Sequence, residues 1–259
     1  MESKINRYSK QLILLNSLFI ILWLVISVFP FIWTFWGSFK VKADFFSRAD
    51  WMFAVTGVNT LIETGDTSTV KAYVESWTEG EFWKATMNTI IITVSVVTIS
   101  LFLGTLGAYA LSRSTYKYTF WILIAALIFR AMPHITLVSG YLFPFFQLNV
   151  WGILPTTIIV LVAINQPFTL WLLYSFFKTV PKELDESALI DGCSYFQAFR
   201  YVIMPVMWPG VVTAGLFSMM LAYNDFTVTS LLLNQQNYTM VPKINAYLGT
   251  IEHSGNYMW

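Results

Sequence analysis

Residues 183–205 read ELDESALIDGCSYFQAFRYVIMP, and they place four acids, Glu183, Asp185, Glu186 and Asp191, before a single glycine. The rest of the chain is unlike this: 56% of its 259 residues are hydrophobic and only 11% are charged. Immediately upstream lies the apolar run Ile153–Phe177, and immediately downstream lies Val206–Leu233. Each is long enough to cross the hydrocarbon core of a bilayer as a helix, which takes about 20 residues. Further out, Leu12–Trp36, Ala85–Ser112 and Thr119–Phe143 reach the same length, and no run holds more than one charged residue. A soluble chain of this size would carry far more charge. The pattern therefore predicts an all-α, polytopic membrane helical bundle with five spans.

The basic start, Lys4, Arg7 and Lys10, followed by an apolar run, has the outline of a signal peptide. The run exceeds the usual 7–15 residues and no A-x-A site follows it, so it reads as a retained span. A single cysteine, Cys193, excludes an internal disulfide and a cysteine metal site. A net charge of +1 with no basic cluster gives no reason to expect nucleic acid.

Orientation follows from Lys and Arg, which concentrate on the cytoplasmic side. They lie in the N-terminal tail, at Arg113 and Lys117, and at Lys178, Lys182 and Arg200. In residues 37–84, by contrast, seven acids outnumber five bases. Residues 1–11 are thus expected to be a cytoplasmic tail, 12–36 the first span and 37–84 extracytoplasmic. Residues 85–259 are expected to form the transmembrane core, with the loop 178–204 facing the cytoplasm. The outer segment holds Phe45, Phe46, Trp51, Phe53, Tyr73, Trp77, Phe82 and Trp83, which suit a cap at the membrane interface, a docking surface, or both.

Inside the apolar runs, Ser100, Gly104 and Ala108 recur every four residues, beside Gly107. Small residues so spaced let helix backbones approach closely, within the chain or against a partner. The polar residues inside the runs are Asn88, Arg130, His134, Asn165, Gln166, Asn224 and Asp225. Arg130 falls about 16 Å into its run, near mid-membrane. It suits either a structural ion pair or carbonyl contact, or a polar pathway. Asn165, Asn224 and Asp225 are the other pathway candidates, and capping or interfacial roles remain open for Asn224 and Asp225. Catalytic constellations are missing: there is no G-x-S-x-G, no H-E-x-x-H and no cysteine cluster, and the two histidines lie far apart. No Gly-Lys dipeptide exists, so the chain has no Walker A loop for ATP. No metal site and no catalytic residues are expected.

The opening stretch is a short helix by every local rule. Pro181 suits a first helical position, three acids face the positive end of the helix dipole, and Gly192 is a natural stop. A second short helix, Tyr195–Val202, is expected to leave at an angle before Pro205 opens the next span. Leu184 and Ala188 share one face beside Ser187, giving a knob with an apolar side and acidic flanks. Helices that lie on membranes favour Lys and Arg on their polar face. This one is acidic, and so reads as an insert into a partner protein.

The spacing carries a resemblance. Glu186-Ser187-Ala188, then Gly192, then Val202-x-Met204-Pro205 resemble the EAA motif of binding-protein-dependent ABC importer permeases, E-A-A, three residues, G, nine residues, I-x-L-P. The surroundings are similar to the smaller permease subunit of maltose-type sugar importers: GAYALSR at 107–113, Met132-Pro133, FFKTVPKELDESALIDG at 176–192, MPVMWPG at 204–210 and YNDF at 223–226. The resemblance runs from about residue 10 to the C-terminus. It implies a multi-pass protein of the inner membrane, pairing with a second permease subunit as a heterodimer embedded in membrane lipid. It also implies two cytoplasmic ATPase subunits that hold the ATP, and an extracytoplasmic solute-binding protein that delivers a carbohydrate or related solute. No cofactor would sit on this chain. The ATPase-coupling residues it implies are Leu184, Glu186, Ser187, Ala188, Asp191, Gly192 and Pro205, with Glu186 as the polar contact and Gly192 as the turn.

Permeases of this kind have six spans, whereas five are counted here and the chain stops at EHSGNYMW. Either the sequence is truncated or the sixth span has been lost; a lost span would leave a packing face uncovered, so a fragment is expected. The alternative is an ion-coupled secondary carrier with Arg130 and Asp225 as its coupling pair, which leaves the EAA-like loop without a role.

Overall fold

A computed structural model describes residues 2–38, 73–74 and 76–251 of the chain. Phe45, Phe46, Trp51 and Phe53 of the expected outer cap, and the C-terminal EHSGNYMW, lie outside the described residues. The chain divides into two units, Met1–Gly80 with Gly255–Trp259, and Glu81–Ser254.

In the first unit, α1 runs Glu2–Gly37 and carries the apolar stretch Leu12–Phe35. The helix passes through Pro30 without breaking. Thr34 Oγ1 donates back to the Pro30 carbonyl at 2.7 Å, one turn earlier, so that its hydroxyl is satisfied within the helix.

The second unit is helical throughout. Its long members are α2 (Phe82–Arg113), α5 (Leu154–Thr179) and α8 (Met204–Tyr223). Between α2 and α5 come α3 (Thr119–Ala131) and α4 (His134–Gln147), and the short α6 (Glu183–Ile190) and α7 (Tyr195–Gln197) precede α8. After α8 follow α9 (Thr227–Leu232) and α10 (Met240–Ile251). No strand occurs among the described residues.

α2 and α5 share the largest interface, and α8 lies against both. Within lipid there is no hydrophobic drive between helices, so close packing must supply the attraction. The small residues make that possible. A Cβ on Gly104 would sit 3.1 Å from Thr169 Cγ2 and 3.2 Å from Leu173 Cδ1, both on α5, and one on Gly107 would sit 3.1 Å from Leu170 Cδ1. The Ser100, Gly104 and Ala108 stripe is buried here, so its small face is used within the chain. Gly210 of α8 is tighter still, 2.9 Å from Phe176 Cγ by the same measure. Two buried layers result. One, around Val96, Val138, Leu161, Ile164 and Leu232, lies toward the α4–α5 turn; the other, around Ala108, Leu173, Phe177, Ile203 and Met207, lies beneath the acidic loop.

Two expected spans differ from single rods. Thr119–Phe143 is not continuous: α3 and α4 meet at an angle of 84° across Met132 and Pro133. The cause is local, because a residue before proline is pushed out of helical geometry, and Met132 is extended with ψ 144°. Val206–Leu233 also divides, since α8 ends at Tyr223 and α9 is a separate element. In the opposite direction, Tyr195–Val202 does not leave as an independent helix. α7 continues through a π turn, Ala198–Ile203, into α8, so that Tyr195–Tyr223 is one rod of 29 residues. Pro205 explains the π turn. Met204 N–H bonds the Phe199 carbonyl five residues back, widening the helix just where a proline ring would otherwise strike the preceding turn. Among the described residues, four helices are long and apolar enough to cross a membrane, or five if the bent pair is one span.

Candidate functional site

The acidic loop is built by two precise helix ends. α6 starts with Lys182 as its N-cap residue, one position after Pro181, and carries Glu183, Asp185 and Glu186 in its first turn. It stops in a Schellman arrangement: Cys193 N–H bonds the Ala188 carbonyl at 3.0 Å and Gly192 N–H bonds the Leu189 carbonyl at 3.1 Å. Gly192 holds φ +87°, the left-handed region that favours glycine. Two residues later Ser194 and Gln197 form a capping box that starts α7, with bonds of 2.8 Å and 3.3 Å. The chain thus ends one helix and begins the next within four residues.

The faces of α6 are the reverse of the expectation for its apolar side. Ala188 is only 4% exposed and Leu184 packs into the layer that holds Phe177, Val180 and Ile203. They face the chain because an eight-residue helix needs an apolar anchor to stay docked, and these are the apolar positions that reach the bundle. The outward surface is formed instead by Glu186, Ser187, Ile190, Asp191 and Gly192. Ile190 is 86% exposed, and Tyr195 across the turn is 76% exposed. Pro205 lies in the helical rod near its π turn and is also exposed.

Beneath α6 lies a polar cluster that sequence reasoning did not assign. Tyr109 donates its hydroxyl to Asp185 Oδ1 at 2.6 Å, and Arg113 Nη2 pairs with Asp185 Oδ2 at 2.7 Å. Nη1 of the same arginine donates to the Val180 carbonyl at 3.0 Å and, more weakly, to that of Phe177 at 3.4 Å. The Tyr109 ring packs on those of Phe199 and Phe177, with centroids 4.8 Å and 5.7 Å away. Tyr109 and Arg113 both lie in GAYALSR and fall four residues apart, on one helix face; that spacing was the available signal.

The mid-membrane candidates do not converge. Arg130 Nη1 donates to the Ile164 carbonyl at 3.2 Å and to Asn165 Oδ1 at 3.3 Å, and its guanidinium lies 5.5 Å from the Phe168 ring centre. Pro167, which offers no N–H to the preceding turn, lies three residues on from Ile164 in α5. Asn165 is buried and is the partner of Arg130. Asp225, in contrast, accepts from the Val228 and Thr229 N–H groups at 2.9 Å and 3.0 Å, capping the start of α9. Asn224 is exposed and bonds the Met220 carbonyl at 2.9 Å, closing the end of α8. Among the described residues no ion pair joins Arg130 to Asp225. Of the other polar positions, Asn88 donates to the Asn237 carbonyl at 3.1 Å, and His134 is the first residue of α4.

Residues 11–254 match a family described as the binding-protein-dependent transport system inner membrane component. Among curated relatives, the diacetylchitobiose uptake system permease protein NgcG of Streptomyces coelicolor is 30% identical over 240 residues, 88% of this chain and 72% of that protein. The trehalose/maltose transport system permease protein MalG of Thermococcus litoralis is 32% identical over 225 residues, 86% of this chain and 76% of that protein. Among solved structures, a chain of a bacterial ABC transporter involved in the import of the acidic polysaccharide alginate aligns with a TM-score of 0.71. It covers 95% of this chain and 81% of that one, and at 20% identity it speaks to the fold.

Proposed function

Because the chain belongs to the binding-protein-dependent transport system inner membrane component family, and is a permease subunit of an ABC sugar importer, we propose that it forms half of the path for a small carbohydrate and is driven by two cytoplasmic ATPase subunits through residues 181–205. Such permease subunits are not themselves enzymes, and the chain is a multi-pass inner membrane protein working in a complex with other subunits. The second half of the path would come from a partner permease, and an extracytoplasmic solute-binding protein would deliver the solute. Relatives named for diacetylchitobiose and for trehalose and maltose support a di- or oligosaccharide.

The observation that carries the coupling reading is the outward edge of α6. Glu186, Ser187 and Ile190 are exposed on a helix whose other face is anchored to the bundle. The lysines and arginines nearby support a cytoplasmic position for that edge. Closure of ATP-bound subunits around it would turn the helix, and the bundle would follow, changing which side the path opens to. In this arrangement Leu184 and Ala188 seat the helix, Glu186 and Ser187 meet the partner, and Gly192 and Pro205 shape the turn and the rod that follow it. The ion-coupled carrier is not favoured, since Arg130 is engaged by α5 while Asp225 caps α9.

The test is Glu186→Lys in the assembled complex. Losing a hydrogen-bonded charge contact at an interface costs about 2–5 kcal/mol, and each 1.4 kcal/mol or so is tenfold in affinity. The variant should insert normally and keep its partner permease, while its affinity for the ATPase subunits falls by tens to thousands of fold, they are lost from the purified complex and uptake fails. Full recovery of the ATPase subunits with normal uptake would remove the docking role.

A further inference from the structure

Asp185 and Glu186 are consecutive carboxylates on α6 with different surroundings. Glu186 is exposed, whereas the Asp185 side chain is 15% exposed and is held by two residues of α2, Tyr109 and Arg113. Arg113 also donates to the carbonyl of Val180, the residue that closes α5, and more weakly to that of Phe177 in its last turn. The Tyr109 ring lies on Phe177 of α5 and on Phe199 of the π turn. One carboxylate therefore ties the docking helix to the cytoplasmic ends of two membrane helices and to the start of a third.

We infer that Asp185, Arg113 and Tyr109 are positioning residues forming the joint that carries movement of α6 into α2 and α5, distinct from the surface that grips the ATPase. The physical reason is direction. Leu184 and Ala188 hold α6 by apolar contact, which resists separation but permits sliding. The phenol of Tyr109 makes a short, charge-assisted hydrogen bond to the Asp185 carboxylate, and the Arg113 guanidinium forms an ion pair with the carboxylate's other oxygen at 2.7 Å, so the two contacts together resist shear. Their partial burial strengthens them, since a low local dielectric amplifies such bonds. A turn of α6 then cannot occur without pulling on Arg113 and, through it, on both helix ends. The inference rests on the importer reading, because it supposes that something moves α6.

The experiment uses the complete complex in liposomes, with Cys193→Ser as background and an environment-sensitive fluorophore on Phe102→Cys, an exposed site midway along α2. ATP with magnesium is the probe. The parent should retain its ATPase subunits and show an ATP-dependent change in emission. Asp185→Asn and Arg113→Gln should retain the ATPase subunits and their ATP hydrolysis but lose the emission change, and Asp185→Glu should restore it. Should either variant fail to assemble, Tyr109→Phe, which leaves the ion pair in place, decides: a weakened emission change supports the joint and an undiminished one overturns it. Loss of the ATPase subunits in Asp185→Asn would make Asp185 part of the docking surface and overturn the separation. A full emission change in that variant would overturn the joint itself. If the parent complex holds no ATPase subunits, it is the importer reading that fails.

Discussion

Gly192 was legible from the sequence because its requirement is purely one of backbone. A helix that must end abruptly wants a residue free to take positive φ, and Gly192 takes φ +87° with nothing within 4 Å of where a Cβ would sit. The space is open, so any penalty for substitution comes from the backbone alone. Gly192→Val should cost about 1–3 kcal/mol at a left-handed position, and misaim the turn into α7. Gly192→Asn should cost much less, because asparagine tolerates this region. Comparing thermal unfolding midpoints and ATPase recovery for the two variants checks this, and equal behaviour would show that the turn makes no such demand. The neighbours of Gly192 were harder to read. Sequence shows that Leu184 and Ala188 share a face, but not whether that face meets the chain or a partner, and here it meets the chain. Asp185 and Glu186 look alike in sequence, and only their positions around the helix separate the buried tie from the exposed contact. Arg130 was visible as a costly charge, yet its Ile164 carbonyl partner lies 34 residues away on another helix.

Prolines decide the elements, and run length alone could not rank them. Pro133 breaks its span sharply, while Pro167 and Pro205 sit in helices that continue. The difference lies in what accommodates the ring: a π turn lies ahead of Pro205 and an extended Met132 before Pro133, while α5 runs on through Pro167 with the Arg130 guanidinium on the nearby Ile164 carbonyl. Hydropathy sees the same apolar run in each case. The packing of α5 with α8 was equally hidden, since Gly210 gives no sign in sequence that it faces Phe176. A Cβ there would lie 2.9 Å from the Phe176 ring, itself part of a packed layer. Overpacking of this kind typically costs about 1–3 kcal/mol, so Gly210→Val should lower the unfolding midpoint of the purified complex. Gly140→Ala on α4, with nothing within 4 Å, should leave it unchanged or slightly higher. A drop of similar size in both would mean that the close approach to Phe176 does not set the cost at Gly210, since helix propensity favours both replacements over glycine.

At the scale of the molecule, the class was readable because lipid imposes a length and a composition, and the described chain is helical with four or five candidate spans. The sidedness of the loops rests on Lys and Arg and is open to direct test. Reporter fusions at residues 116 and 190 should read cytoplasm and one at residue 65 should read outside; an outside result at 190 would place α6 beyond reach of any ATPase. What neither charge nor hydropathy could show was the continuity of Tyr195–Tyr223, because Pro205 looked like a boundary. At about 1.5 Å per residue, that rod is about 43 Å long. It is held tightest at Gly210 against Phe176, partway along, while its lower end lies beside the acidic loop and its upper end meets Asn224. A body so held behaves as an oar in its rowlock. A tilt of a few degrees below moves the far tip by the 1–2 Å or so over which packed helix interfaces switch. The residues around Asn224 would then be displaced with no change in any bond they make, and the stroke at the outer end would be set by where along the shaft the glycine sits.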